Sequence, residues 1–246
     1  MLHMNFEQRI ALDTTGMDWI ASPSGGVERK PLAREDAERG HATSVVRYAA
    51  GASFPRHEHP LGEEIFVLDG VFSDETGDFP TGTYLRNPPG SGHAPFSEGG
   101  CTLFVKLHQF QPDDRARVRI DTRTASWRPG IGGLEVMPLH SHGAEQVALV
   151  RWPAGEVFQP HRHYGGEEIF VLSGEFIDEY GRYPAGSWIR SPHQRPRRAH
   201  AGWFRGSFSQ HHPRVEQETV IWVKTGHLPI RARRADPPRA AEYTDR

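Results

Sequence analysis

The sequence predicts an all-β protein built from two copies of one barrel or sandwich domain. A stretch at residues 51–70 returns 104 residues later, at residues 155–174, with the same order of Gly, His and Glu residues. An internal repeat of this length indicates two domains. The chain also holds 26 Gly and 20 Pro, which disfavour helix interiors, and its apolar residues fall in short Val-, Ile-, Phe- and Trp-rich runs that favour strands.

The first copy is a series of short strands joined by turns. Its predicted strands are β-branched or aromatic runs at residues 43–48, 64–68, 71–74, 82–86 and 102–107. Asp69-Gly70 is a hairpin signal, and the loop at residues 87–92, with two prolines and two glycines, delivers His93. Only residues 33–39 resemble a helical turn, so we expect little helix.

The second copy keeps the register of the first as far as Pro192. Its closing strand at residues 221–224 matches residues 103–106 at an offset of 118 rather than 104, which indicates an insertion of 14 residues. These patterns predict an N-terminal barrel at residues 1–118, a C-terminal barrel at residues 119–230 and a basic, flexible tail at residues 231–246.

Charge and composition exclude several classes of function. The net charge of −2 gives no basic field for nucleic acid or a membrane surface. The single cysteine, Cys101, excludes an internal disulfide and a Cys-rich zinc site, and it fits a reducing compartment. No stretch approaches the ~20 apolar residues of a membrane span. We therefore expect a cytoplasmic protein that acts on a small-molecule substrate or ligand, with a homodimer left open.

The repeated stretch has the spacing of a metal site. Side chains alternate faces along a strand, so His57 and His59 point the same way, and a carboxylate shortly afterwards can close on the same point. Glu63 is preferred to Glu64, because Glu64 shares the opposite face with the apolar residues that follow it. Together with His93, these residues predict the first site.

The second site repeats the pattern with His161, His163 and Glu167. At the fixed offset of 104, His93 would fall on Arg197, which has no lone pair to offer a metal. The offset of 118 places His211 on His93, so His211 is the predicted fourth ligand. His193, His200 and His212 remain alternatives.

Three imidazoles and one carboxylate suit a divalent transition metal rather than Ca or Mg, which take oxygen ligands. We expect one such ion per barrel, with Fe favoured for an oxygenase and Zn, Mn, Ni, Co or Cu left open. Four protein ligands leave an open position on a five- or six-coordinate metal for substrate or dioxygen.

Two pairs of repeated residues carry a structural interpretation. Arg86 and Arg190 are more simply paired with structural carboxylates, such as Asp74 or Asp178, than used to grip an anionic substrate. The aromatic residues Tyr84 and Trp188 occupy matching positions and are expected to fill the barrels.

With these residues assembled, the chain resembles a cupin, and specifically a bicupin. The first cupin motif, G-x5-H-x-H-x3-E-x6-G, is matched twice, and the second, G-x5-P-x-G-x2-H-x3-N, is matched once with Ser97 in place of Asn. In the second copy only Gly186 and Pro192 match the second motif. The sequence around the motifs is similar to the cupin domain of ChrR-type anti-sigma factors over residues 15–228. The resemblance implies two tandem cupin (double-stranded β-helix, jelly-roll) barrels with a metal inside each.

This resemblance supports more than one function. The subfamily is similar to dioxygenases that cleave β-diketones and hydroxylated aryl ketones with Fe, which makes a metal-dependent dioxygenase our first hypothesis. A ChrR-like regulatory or sensor cupin is the second, and a non-catalytic bicupin with structural metal is the third. A sigma factor is a partner only under the second, and the usual route is not expected because the chain lacks a His-x3-Cys-x2-Cys signature.

Overall fold

The computed structural model describes residues 1–37, 39–159, 164–192 and 213–229. Over these residues the chain is all-β, as predicted, and no helix is present. The predicted helical turn at residues 33–39 is wrong for its described part, because a strand runs to Arg34 and bends follow it. None of the described residues forms a helix long and apolar enough to cross a membrane.

Most strands of both copies are short. Those of the first half are β1 (Ile10–Asp13), β2 (Ile20–Ala21), β3 (Val27–Arg34), β4 (Ala42–Tyr48), β5 (Ala52–Ser53), β6 (His57–His59), β7 (Glu63–Asp74), β8 (Gly77–Pro80), β9 (Thr83–Asn87), β10 (Ser91–His93), β11 (Phe96–Ser97) and β12 (Cys101–Leu107). Those of the second half are β13 (Val118–Asp121), β14 (Arg128–Pro129), β15 (Glu135–His142), β16 (Glu145–Trp152), β17 (Glu167–Ser173), β18 (Glu175–Asp178), β19 (Gly181–Pro184), β20 (Ser187–Ser191) and β21 (Thr219–Thr225).

The two copies fold into two equivalent antiparallel sheets. In the first sheet the strand order is β13-β9-β7-β12-β4-β3-β2, and in the second it is β1-β20-β17-β21-β16-β15-β14. Strand β12 lies between β4 and β7, and β21 holds the same place between β16 and β17. This matching topology agrees with the sequence repeat.

Each half of the chain lends one strand to the other half's sheet. Strand β1 pairs with β20 of the second sheet, with Ile10 opposite Arg190. Strand β13 pairs with β9 of the first sheet, with Val118 opposite Arg86. Sheet membership therefore does not follow the order of the two copies along the chain, and β13 spans residues 118 and 119.

Alternation along the strands divides the apolar residues among three cores. On β12, Leu103 and Val105 point into the first barrel, whereas Phe104 points the other way and packs against Phe170 and Trp222 of the second half. A third cluster fills the second barrel around Trp152. The two sheets thus bury one large apolar face against each other, and burial of such surface is the main force that holds layers together.

Buried ion pairs also cross between the sheets. Lys106 of the first half binds Glu168 of the second, and Lys224 of the second half binds Glu64 of the first at 2.7 Å. All four side chains are at most 2% exposed. Buried charges of this kind are tolerated because each has an opposite charge in contact.

The repeated arginines are buried structural residues, but neither takes the partner predicted for it. Arg86 binds Asp114 at 2.6 Å and Glu145 at 3.1 Å. Arg190 donates to backbone carbonyl oxygens of the N-terminal segment. Asp74 and Asp178 are not reached because both guanidinium groups lie on the face of the sheet that meets the other half.

The repeated aromatic residues lie on that same face. Both Tyr84 and Trp188 are fully buried between the two sheets. The hydroxyl of Tyr84 also donates to Glu64 at 2.5 Å. The two rings therefore fill the interface between the barrels rather than either barrel interior.

Candidate metal centre

Three short elements of the first barrel bring the predicted ligands together. Strand β6 presents His57 and His59 on one face, and it pairs antiparallel with β10, which sets His93 opposite His57. Glu63 begins β7, directly after the turn that follows β6. Gly92 permits this close pairing, because a Cβ atom there would lie 2.7 Å from the backbone oxygen of His57.

The four side chains converge on one point. One ligand atom from each of His57, His59, Glu63 and His93 lies within 4.8 Å of the other three. Oε2 of Glu63 is 3.4 Å from Nε2 of His59 and 3.5 Å from Nε2 of His93. Such separations are those of ligands that share one ion about 2.1 Å away.

The donor atoms fit a transition metal because they are otherwise unsatisfied. Nε2 of His59 and Nε2 of His93 are buried and have no hydrogen-bond partner. Buried polar atoms normally have one, so a pair of orphaned nitrogens facing a carboxylate is the expected signature of an ion site. Three nitrogens and an oxygen also match the softness of Fe, Zn, Mn, Ni, Co or Cu.

Neighbouring groups hold the ligands in the orientation that binding needs. Nδ1 of His57 donates to the Pro55 carbonyl at 2.9 Å, and Nδ1 of His93 donates to Oδ2 of Asp74 at 3.1 Å. These bonds leave the Nε2 atoms to face inward. A partner on the second ring nitrogen is a regular feature of metal-binding histidines and raises their basicity.

Glu63 has its own support. The side-chain amide of Asn87 donates to Oε2 of Glu63 at 2.9 Å, and Arg119 donates to Oδ1 of Asn87 at 2.7 Å. Asn87 and Arg119 were not predicted from the sequence, because their approach to Glu63 depends on the pairing of β7, β9 and β13.

Protonation in the metal-free protein follows these contacts. Burial lowers the pKa of His59, so that its ring stays neutral. Burial alone would lower the pKa of His93, but the hydrogen bond to Asp74 and the charge of Glu63 outweigh burial and raise it. Burial likewise acts to raise the pKa of Asp74, yet its bonds to His93 and Thr76 bring that pKa to about 2.

The cluster opens onto a cavity of about 400 Å³ inside the first barrel. Most of its wall is apolar, with Ile65, Phe72 and the inward residues of β4 and β12, while Tyr48 and Ser44 add hydroxyl groups. Two basic side chains, Arg29 and Arg34, also line it. The cavity therefore offers a largely apolar space beside the four ligands.

The second barrel shows only part of the predicted site. Glu167 begins β17 at the place of Glu63 and is buried. Burial, with the charge of Asp178, raises the pKa of Glu167 to about 8. The other predicted residues lie outside the described residues: His161, His163 and His211, with the alternatives His193, His200 and His212.

A further group of potential ligands lies between the barrels. Asp114, His140 and Glu145 offer atoms within 4.8 Å of one another. Arg86 binds both carboxylates, and Lys224 lies 2.9 Å from Glu145. These fixed positive charges neutralise the acids and would repel a cation, so we assign the group to the ion network of the interface.

Known proteins agree with the fold. A dioxygenase from Nostoc punctiforme, provisionally assigned, superposes with a TM-score of 0.69 at 16% identity over 89% of this chain and 82% of its own. A bacterial pirin from Escherichia coli in complex with nickel(II) gives 0.63 at 12% identity over 90% and 99%. A variant of Bacillus subtilis oxalate decarboxylase gives 0.58 at 12% identity over 88% and 76%.

These identities are low enough that the likeness shows the fold alone, and no curated protein matches the sequence. The sequence profile of the ChrR cupin-like domain, however, matches residues 7–111 and again residues 115–229. The two matches cover most of the chain, one for each copy of the repeat. The chain therefore belongs to the ChrR cupin-like domain family and is a bicupin, with two copies of the domain in tandem.

Proposed function

We propose that the first barrel is a non-haem metal dioxygenase, of the Fe type, that acts on a small oxygenated organic molecule such as a diketone. The observation that carries this proposal is the position of the His57, His59, Glu63 and His93 cluster at a largely apolar cavity of about 400 Å³. A site with four protein ligands and adjoining space has room for both a substrate and dioxygen.

The charge of the site favours a chelating anion. Three neutral imidazoles and the Glu63 carboxylate leave a bound divalent ion with a net charge of about +1, which the enolate of a diketone would neutralise. When bound, the metal would supply the chelation of the substrate oxygens and the activation of dioxygen. The apolar walls around Ile65 and Phe72 would exclude water from this step.

The proposed reaction needs no further reductant. Cleavage of one carbon–carbon bond of a diketone by one dioxygen molecule places both oxygen atoms in the products, a carboxylic acid and a dicarbonyl compound. The substrate supplies all the electrons. One of the similar structures is assigned provisionally to a dioxygenase, and another, bound to nickel(II), supports a metal site in this fold.

Oxygen consumption tests the proposal directly. Protein reconstituted with Fe(II) under anaerobic conditions should consume oxygen with a panel of diketones and hydroxylated aryl ketones. The variant His59→Ala should lose this activity, whereas His142→Ala, which alters a histidine at the protein surface, should keep it. Lack of oxygen uptake with every substrate and every metal would overturn the assignment.

A regulatory role is the second candidate, because the family is that of ChrR cupin-like domains. Under this hypothesis the metal site binds an oxidant or small ligand and the protein then changes its binding to a transcription protein such as a sigma factor. Capture of a sigma factor by the metal-loaded protein, without substrate turnover, would favour this role over the dioxygenase.

A further inference from the structure

We propose that Arg119 is a positioning residue for the metal centre of the first barrel and that it acts through Asn87 on the Glu63 carboxylate. The inference rests on the metal site and not on the dioxygenase reaction. Arg119 lies on β13, the strand that the second half of the chain lends to the first sheet. The metal centre of one barrel would thus be completed by the segment that leads into the other.

The hydrogen bonds run in one direction, from Arg119 through Asn87 to Glu63. Arg119 can only donate, so the Asn87 amide must turn its oxygen toward the guanidinium, which it meets at 2.7 Å. The NH2 group of Asn87 then faces Glu63 and donates to Oε2 at 2.9 Å. That oxygen is the one 3.4 Å from His59 and 3.5 Å from His93, so the chain fixes the carboxylate atom nearest the other ligands.

Arg119 is itself well fixed. Its other terminal nitrogen donates to the carbonyl oxygens of Arg86 at 3.2 Å and Val118 at 2.9 Å. Its guanidinium also lies 5.2 Å from the centre of the Phe79 ring, within cation–π range. Asn87 is buried, which removes water as a competitor for its amide. A fixed arginine and a buried amide can therefore hold Glu63 in one orientation.

The second barrel shows that a strand from the other half can pair with the sheet without these hydrogen bonds. Glu167 faces Ser191 as Glu63 faces Asn87. Ala11 stands opposite Ile189 as Arg119 stands opposite Leu85. The positions of Asn87 and Arg119 are thus held by the smaller residues Ser191 and Ala11 in the second barrel, yet β1 still pairs with β20.

Arg9, which directly precedes β1, donates to Asp178 and Tyr183 instead. In the second barrel, Arg9 therefore makes contacts different from those that Arg119 makes in the first. Because strand pairing alone accounts for neither Arg119 nor Asn87, we assign them to the metal centre.

Cobalt(II) is a suitable probe because its visible spectrum reports the ligand geometry. The variants Arg119→Met and Asn87→Ser should each weaken cobalt binding in the first barrel by about 10-fold or more, with a changed visible spectrum. Arg119→Lys keeps a donor to Asn87 and should recover most of the affinity. The double variant should be no weaker than the more affected single variant, because both act on one chain of bonds.

Controls separate this effect from a general loss of structure. Arg9→Met removes the arginine that reaches the second barrel and should leave cobalt binding in the first barrel unchanged. Glu167→Gln identifies any binding that belongs to the second barrel. Unchanged affinity and spectrum in both Arg119→Met and Asn87→Ser, or effects that simply add, would overturn the proposal.

The two proposals fail in different ways. If the wild type binds cobalt but consumes no oxygen with any substrate or metal, the dioxygenase is excluded, and the cobalt titrations of the variants still decide the role of Arg119. If Arg119→Met fails to fold, Asn87→Ser alone decides the question, because it places in the first barrel the residue that the second barrel already carries. A wild type that binds no cobalt would overturn the role of Arg119, while oxygen uptake by the iron-loaded protein would still decide the dioxygenase.

Discussion

Nζ of Lys224 in the second half lies 2.7 Å from Oε2 of Glu64 in the first, and both side chains are buried at the interface. Lys224 also lies 2.9 Å from Glu145. Replacement by Met would leave Glu64 and Glu145 to share the positive charge of Arg86 with Asp114. The two halves therefore depend on this lysine for charge balance, a dependence that unfolding measurements can test.

We expect Lys224→Met to lower the free energy of unfolding by about 3–5 kcal/mol, because it leaves buried charge without its partner. Urea unfolding monitored by tryptophan fluorescence measures this loss. Arg123→Met is the matched control: it breaks an exposed pair with Asp121, which should cost less than about 1 kcal/mol. Equal losses in the two variants would contradict the prediction.

Gly92→Ala should damage the metal centre through the backbone. The new Cβ atom would lie 2.7 Å from the His57 oxygen, so β10 must move away from β6 and carry His93 with it. We expect metal affinity to fall by about 10-fold or more, together with a loss of about 1–3 kcal/mol in stability. Isothermal titration with zinc or cobalt measures the affinity.

Gly99→Ala serves as the control for that variant, since nothing lies within 4 Å of a Cβ atom at residue 99. It should bind metal as the wild type does. If the two alanine variants bind metal equally, the close approach at residue 92 does not determine the geometry of the site.

Asp74→Asn should weaken metal binding while leaving the protein folded. The carboxylate of Asp74 accepts from Nδ1 of His93 at 3.1 Å, and loss of its charge makes that ring a poorer ligand. A fall of about 10-fold in affinity is expected. Asp78→Asn, which alters a carboxylate bonded to Ser73 instead, should leave the affinity unchanged, and a similar fall there would argue against the assigned role of Asp74.

Glu167 should make the metal-free protein less stable at higher pH. Its pKa is raised from 4.5 in the unfolded chain to about 8 in the folded protein, chiefly by burial. Its favourable contribution is therefore complete below pH 4.5 and is lost as the pH rises through 8. Glu167→Gln should remove this dependence, a difference on the order of a few kcal/mol between pH 5 and 8.

Chemical unfolding at several pH values, with a chelator present, measures this dependence. Glu98→Gln changes an exposed carboxylate of the first barrel and should follow the wild type. A pH profile of Glu167→Gln that matches the wild type would show that the carboxyl group is not held neutral in the fold.

Local sequence pattern was sufficient where strand alternation decides the outcome. It placed Glu63 with the histidines and Glu64 on the opposite face, and the structure has Glu63 beside His59 and Glu64 bound to Lys224. The repeat gave the two barrels, and the motifs gave the family. These features depend on residues that are close in the chain, where spacing fixes the direction of each side chain.

Contacts between distant strands could not be predicted in the same way. Arg86 was expected to meet Asp74, but it binds Asp114 and Glu145, because pairing in the folded sheets decides which charges meet. Asn87 and Arg119 were missed for the same reason. Spacing within one strand does not reveal which sheet edge another strand will join.

The exchanged strands have a consequence for synthesis of the chain on the ribosome. Ile10 is made 180 residues before its partner Arg190, and contacts so remote in sequence form slowly. Strand β1 must therefore wait for its partner until β20 has been made. No single cut between the two copies would yield two complete halves, because the C-terminal piece would always lack the strand supplied by the N-terminus.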